Sequence, residues 1–468
     1  MVRTRIAPTP SGALHLGTTH AAMFNYLFAR RSGGQFILRI DDSDPKRSKK
    51  EYEENIMASL KWLGLDWDEG PDIGGPYAPY RQSERMDHYW PYVEKLLKEN
   101  KAYFCYCTTE ELDAERKQLE AEKKPIKYSG KCRKLTREQQ VRYEKEGRKP
   151  TVRLRVPEKE VSFIDPARGK VTNDAALFGD YIIARSDKTA LLIVATTVDD
   201  IEMKITHAIR GEDYINFVPK QIILFEALGA VPPVFAHIPF VYAADGSKLS
   251  KRHDAASVSD YKKLGYLPDA IFNYLLLLGW TPPDENEIIS KEKAIKIFAL
   301  EKLSVNNHRF NIDKLNWING EYIRRMTDQQ LAEQIFDFYE KKLNKEIISI
   351  TAPLVKERIK KLSDYLPLTA FMFNKPDTYE IDLSAKRDLI LSIAKELEQL
   401  QDWTVQTIGE TLVGLAKKLG LKNSEFFMVL RIAMTGKKIS PPLNESMQIL
   451  GKEKVLSYLL RASEPRQS

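Results

Sequence analysis

Residues 2–41 read "VRTRIAPTPSGALHLGTTHAAMFNYLFARRSGGQFILRID". Both ends are strand-like: "VRTRIA" and "QFILRID" are short apolar runs closed by loop residues. Between them "AAMFNYLFARRSGG" puts Met23, Leu27 and Phe28 on one helical face and stops at Gly33-Gly34. Strand, loop, helix, strand is the opening of a doubly wound parallel sheet. The loop, "APTPSGALHLGTTH", looks like a phosphate cradle. Gly12 and Gly17 have the glycine spacing of a P-loop, but Thr18 stands where its lysine belongs. A nucleotide held here must draw positive charge from elsewhere in the chain.

That charge is present at 242–257, "YAADGSKLSKRHDAAS". Lys248, Lys251 and Arg252 fall on a short polar loop between strand-like "FAHIPFVY" and a helix, with Asp245-Gly246 as a turn. Taken alone, such a cluster is more often an ordinary basic surface loop. The rest of the first half continues the alternation. "KEYEENIMASLKWLG" and "RMDHYWPYVEKLLKEN" read as helices; "TVRLRV", "VSFID" and "ITHAIRGED" read as strands. Residues 105–150 are charge-rich, carry all three cysteines and look inserted. From about residue 285, helical patterns laced with Lys and Glu dominate, which predicts an appended all-helical domain.

Composition bounds the answer. The 468 residues exceed one domain, and 43% apolar content is enough for several cores. The first thirty residues lack the unbroken apolar region of a secretory signal. "AIFNYLLLLGW" is too short to span a bilayer and reads as a buried helix. A cytoplasmic protein without membrane contact is expected. A net charge of +7 is compatible with a nucleic-acid partner without requiring one. Three cysteines, an odd number, argue against a disulfide framework.

Together the two loops resemble the signature sequences of class I aminoacyl-tRNA synthetases. His15-Leu16-Gly17-Thr18 stands at the "HIGH" position and Lys248-Leu249-Ser250-Lys251-Arg252 at the "KMSKS" position. Longer stretches sharpen the resemblance to bacterial-type glutamyl-tRNA synthetases. They are 5–44, 205–229 ("ITHAIRGEDYINFVPKQIILFEALG"), 245–280, 309–324 ("RFNIDKLNWINGEYIR") and 430–443 ("LRIAMTGKKISPPL"), spread in order over the chain. The resemblance implies an α/β Rossmann-like catalytic core at 1–78 and 187–240. It implies an inserted α/β domain binding the tRNA acceptor end at 79–186, and a lysine-loop and stem-contact region at 241–322. An all-α anticodon-binding domain follows at 323–468. It implies a monomer that uses ATP with Mg2+, glutamate and tRNA. Pro8, Gly12, His15, Gly17 and Thr18 would line the ATP site; His15, Lys248 and Lys251 would carry catalysis. Chemically, positioned donors stabilise charge on the α-phosphate and on departing pyrophosphate, with the helix N-terminus contributing. Alternatives are an enzyme that also charges tRNA(Gln), a tRNA-binding paralogue without normal activity, and a nucleotidyltransferase that uses no tRNA.

The resemblance places Arg5, Ala7, Thr9, Asp41 and Arg210 around the amino acid. Paired arginines suit an acidic substrate, because guanidinium grips carboxylate bidentately. The chain departs from the family pattern in places. "IDDSD" (40–44) opens with Asp41 where Glu is usual, and "TALLIVATTVDD" (189–200) offers Leu192 and Ile193 where the family has Tyr-Asn. Tyr181 and Arg185 are candidates to compensate. A zinc site is also expected. Cys105, Cys107 and Cys132 fall within 28 residues, and a tetrahedral ion needs a fourth ligand. Tyr128 is the nearest candidate, and C-x-C followed by Y-x-x-x-C resembles the zinc motif of some family members. The bland alternative is three small buried hydrophobes with a packed tyrosine.

Overall fold

The computed structural model describes residues 1–243, 245–247 and 257–464. The chain forms two compact units, 1–261 with 271–312, and 262–270 with 313–468. The first is built on a four-stranded parallel sheet. Its strands, in spatial order, are Gln35–Leu38, Arg3–Ile6, His207–Gly211 and Val234–Ile238. The first strand therefore lies at the centre, and the order of strands reverses beside it. Ligands of such sheets bind beyond the carboxyl ends of the strands at that reversal. The helix Leu16–Arg31 makes the crossover from the first strand to the second. Met23, Phe24 and Leu27 are fully buried beneath it. Asn25 pins it to the sheet: its Nδ2 donates to the carbonyls of Ala21 and Ile209 at 2.8 and 2.7 Å. Gly33, with φ of +59°, supplies the left-handed residue at the turn out of this helix.

A second, antiparallel sheet joins Ala102–Cys105, Thr151–Leu154 and Ile182–Ala184. Two exposed, capped helices, Thr109–Ala121 and Arg137–Lys145, lie between its first two strands in sequence. A hairpin, Glu160–Asp165 with Gly169–Asp174, follows. Apolar residues of this region, among them Val152, Leu154 and Val161, share one core with Val194, Val198, Phe225 and Phe235.

The second unit contains no strand among the described residues. Its helices include Asp328–Phe338, Lys345–Val355, Arg387–Glu398, Val405–Lys418, Asn423–Thr435 and Lys452–Ser463. Ile390, Ile393, Ile408, Leu412, Phe426 and Leu459 form its core. Their i, i+3 and i+4 spacings are what the Lys/Glu-laced pattern predicted. Among the described residues, no helix is long and apolar enough to cross a membrane.

Candidate active site

A cleft of about 640 Å³ opens over the central strands. Arg5, Ala7, Pro8, Thr9, Gly12, His15, Gly17, Thr18, Asp41, Leu192 and Arg210 all line it. Lys248 and Lys251 lie outside the described residues.

The loop from 7 to 15 is held by its own backbone. Pro8 O accepts from the N–H of Asp41, Pro10 O from Lys49, and Leu14 O from Val258. His15 is the N-cap of the first helix, and its Nδ1 accepts from the Thr18 N–H at 3.4 Å. Its Nε2 then carries the proton, 3.1 Å from Thr18 Oγ1. The first turn of this helix holds no acidic residue. Its dipole is therefore left to act on an anion in the cleft. Gly17 lies in that first turn, where a Cβ would make only ordinary contact with the His15 ring, 3.4 Å from Nδ1.

Behind this loop lies a buried charge network. Arg5 gives Nε and Nη2 to the two oxygens of Asp200, at 3.2 and 3.3 Å. Arg39, fully buried, donates to Asp41 and Asp200, each at 2.9 Å. Asp199 takes Arg85 at 2.6 Å, Gln82 at 3.0 Å and the Tyr89 hydroxyl at 3.2 Å. Burial pushes the Asp41 carboxyl up to about 6 against the pull of Arg39. Arg210 differs from its neighbours. It is 8% exposed, and neither Nε nor Nη2 has a partner among the described residues. Its guanidinium sits 4.8 Å from the Phe235 ring centroid and 5.0 Å from that of Tyr214. Burial, aided by the charge of Arg5, lowers its pKa to about 9.

This geometry bears on three of the expectations. The two arginines do not form an equivalent pair, because Asp200 already occupies two donors of Arg5. Leu192 lines the cleft, half exposed, but Ile193 does not. The helix Leu192–Glu202 starts at this point, so the next residue turns about 100° away and packs into the core. Thr196, one turn on, shares the cleft face with Leu192. Tyr181 and Arg185 do not compensate: the Tyr181 hydroxyl donates to Lys220 O at 2.7 Å, and Arg185 lines a separate recess with Trp90 and Lys188. Cleft residues that the sequence reading missed include Arg39, Thr196, Asp213 and Tyr214. Arg39 had a signal, since a charge inside the apolar run "QFILRID" must be paired if it is buried.

The cysteines converge at a second place. The Sγ atoms of Cys105, Cys107 and Cys132 lie within 4.8 Å of one another. The Tyr128 hydroxyl is 3.5 Å from the sulfurs of Cys105 and Cys107, and accepts from the Cys132 N–H at 2.8 Å. Hydrogen bonds from Cys107 and Cys132 hold the Cys105 thiol well below its ordinary range. The Arg153 guanidinium lies 3.8 Å over the Tyr128 ring. Three soft sulfurs and one oxygen on a common centre, with a cation alongside, fit a tetrahedral zinc site.

A cleft beyond the carboxyl ends of a parallel sheet, with a helix N-terminus opening on it, and an all-helical second unit are the arrangement expected of a class I tRNA synthetase. The family profile "tRNA synthetases class I (E and Q), catalytic domain" matches residues 1–317, and "Anticodon binding domain" matches 329–462. Glutamate–tRNA ligase 2 of Caldicellulosiruptor saccharolyticus is 41% identical over 479 residues, 99% of either chain. The glutamate–tRNA ligase of a Sulfurihydrogenibium species is 43% identical over 475 residues, again 99% of each. The crystal structure of a glutamate tRNA ligase from Elizabethkingia meningosepticum, in complex with its amino acid, superposes with a TM-score of 0.87 at 32% identity, covering 99% of both chains. The chain belongs to the glutamate–tRNA ligase family.

Proposed function

We propose that the protein joins glutamate to tRNA(Glu) in two steps, through a glutamyl-adenylate, releasing pyrophosphate and then AMP. The observation that carries the choice of amino acid is Arg210. A buried cation with two unengaged donors is unfavourable until an anion arrives, and a neutral side chain would leave it unpaired. The side-chain carboxylate of glutamate supplies that anion. Asp41 then attracts the substrate ammonium, while Thr196 Oγ1, whose proton goes to the Leu192 carbonyl at 2.8 Å, offers only an acceptor. The α-carboxylate attacks the α-phosphate, over which the His15 Nε2–H and the first turn of the Leu16–Arg31 helix supply donors. ATP enters with Mg2+ on its phosphates. Lys248 and Lys251 are assigned to the departing pyrophosphate. The terminal hydroxyl of tRNA then attacks the activated carbonyl and AMP leaves. Residues 79–186 are assigned to the acceptor end and 323–468 to the anticodon. The direct test is pyrophosphate release by the purified chain with ATP and tRNA. It should require glutamate; release that is indifferent to glutamate would overturn the reading.

Zinc is assigned to Cys105, Cys107, Tyr128 and Cys132, where it would tie the Ala102–Cys105 strand to the 128–132 loop. Protein purified without chelator should contain about one equivalent of zinc by elemental analysis. Cys132→Ser should lower that content and the melting temperature together. Less than about a tenth of an equivalent in the unsubstituted protein would reject the assignment.

A further inference from the structure

Arg39 and Asp41 continue the pairing of the Gln35–Leu38 strand past its end: the Arg39 N–H donates to Ile6 O and the Asp41 N–H to Pro8 O. Two residues apart on extended backbone, their side chains project from one face. On that face Arg39 gives Nε to Asp41 Oδ1 and Nη1 to Asp200 Oδ1, each at 2.9 Å. A further carboxylate oxygen, Asp199 Oδ2, stands 3.5 Å from the same Nε. Asp200 Oδ1 also accepts from Arg5 Nε at 3.2 Å. Leu192, Thr196 and Asp200 follow one another at intervals of four, on one face of the helix Leu192–Glu202. Leu192 and Thr196 line the cleft, and Asp200 ties the far end of that face to Arg39.

Exposure separates the two partners on the strand. Both border the cleft, yet Arg39 has no accessible surface while Asp41 keeps 7%. A ligand in the cleft therefore meets Asp41, and Arg39 acts through it. Because Arg39 takes Oδ1, Oδ2 of Asp41 is left for a further donor. The surroundings also set the charge of Asp41. Burial disfavours the ionised carboxylate, and Asp199 adds to that. Arg39 and, less strongly, Arg5 favour it, which leaves the pKa at about 6. The phenols of Tyr89, on the helix Met86–Lys98, and Tyr214, on the turn Glu212–Phe217, lie within electrostatic reach of Asp41. Burial raises both, so they stay neutral.

The geometry points to Arg39 as a positioning residue that holds the Asp41 carboxylate in place for the substrate ammonium. This rests on Asp41 being the partner of that ammonium, so the two are tested together. The experiment is steady-state aminoacylation by the full chain with tRNA, varying glutamate and ATP separately across a range of pH. The variants are Arg39→Met, Arg39→Lys, Asp41→Asn and the double variant Arg39→Met with Asp41→Asn. Arg39→Met should raise KM for glutamate by about tenfold or more, with KM for ATP changed by less than about twofold. The acidic limb of kcat/KM for glutamate, expected near pH 6, should move up by about one pH unit or more. The sign follows from losing the cation that favours the ionised form. Arg39→Lys keeps a cation and should hold the limb closer to its original place, and Asp41→Asn should abolish the limb. The double variant should have a KM for glutamate within about twofold of Asp41→Asn, since Arg39 then has no carboxylate to hold. It also reads the test if Arg39→Met does not fold, because it removes the cation and its partner together. An unchanged KM and limb in Arg39→Met, while Asp41→Asn raises KM, would overturn the positioning role alone. So would a double variant about tenfold worse than Asp41→Asn, which would mean that Arg39 acts elsewhere. An unchanged KM for glutamate in Asp41→Asn would overturn the ammonium reading and this inference with it. Equal rises in both KM values with an unmoved limb would mark a merely structural role and reject the inference.

Discussion

Arg210→Ala is expected to lower kcat/KM for glutamate by about thirtyfold to several thousandfold, while KM for ATP stays near its original value. The size follows from removing one partner of a buried, hydrogen-bonded charge pair, which costs roughly 2–5 kcal/mol. The truncated site leaves the substrate carboxylate in a recess walled by Phe235 and Tyr214, both of which flank the guanidinium. Arg5 is a poorer replacement, because Asp200 holds two of its five donors and offsets its charge. Removing Arg210 also lightens the concentration of positive charge beside Arg5, so the free protein should not be destabilised. A melting temperature equal to or above that of the original chain, together with the loss of glutamate, is the expected pair of results. Retention of kcat/KM within about tenfold would mean that the carboxylate is held elsewhere.

The second large effect belongs to His15. His15→Ala should slow ATP–pyrophosphate exchange, measured with tRNA present, by about a hundredfold to a thousandfold, the range for losing one donor aimed at developing charge. KM for glutamate should move little, since the ring sits over the helix N-terminus rather than among the buried arginines. The same substitution removes a helix cap, because His15 Nδ1 accepts from the Thr18 N–H. Loss of a cap costs about 1 kcal/mol and would itself lower the melting temperature. His15→Asn separates the two roles. Asparagine is a good N-cap, so stability should return, but its shorter side chain does not bring a donor to the phosphate. Recovery of exchange along with stability would assign His15 to the cap alone.

The parts of the fold that were legible in the sequence are local ones. The opening strand–loop–helix–strand is written in apolar periodicity closed by Gly33-Gly34, and the helix Leu16–Arg31 ends at that signal. The all-helical character of the second unit is equally readable, because each helix repeats its buried positions every three or four residues. The clustering of Cys105, Cys107, Tyr128 and Cys132 is a matter of short spacing joined by one loop. What stayed hidden is long in sequence separation. Nothing near Arg5 announces that Asp200 binds it, and nothing in "VSFID" announces that its aspartate meets His237. The expectation that Leu192 and Ile193 stand together at the cleft failed for a different reason: adjacent residues of a helix face different ways. A helix starting at Leu192 repeats its face at Thr196, so period, not adjacency, decides which side chains meet the substrate. The matching of Arg210 to an acidic substrate needed both levels. The residue type was visible in the chain, but that two of its donors meet no partner among the described residues was visible only in the fold.

The central claim is that this cleft selects an amino acid by the negative charge of its side chain. It is tested most directly by charging purified tRNA with each of the twenty amino acids under identical conditions and comparing kcat/KM. Glutamate should be the substrate. Glutamine, with the same shape but no charge, should fall behind by about a hundredfold or more, the penalty for leaving a buried guanidinium without its anion. Leucine and other apolar amino acids should give no product. Charging with glutamine or an apolar amino acid at a rate equal to or above that with glutamate would contradict the account.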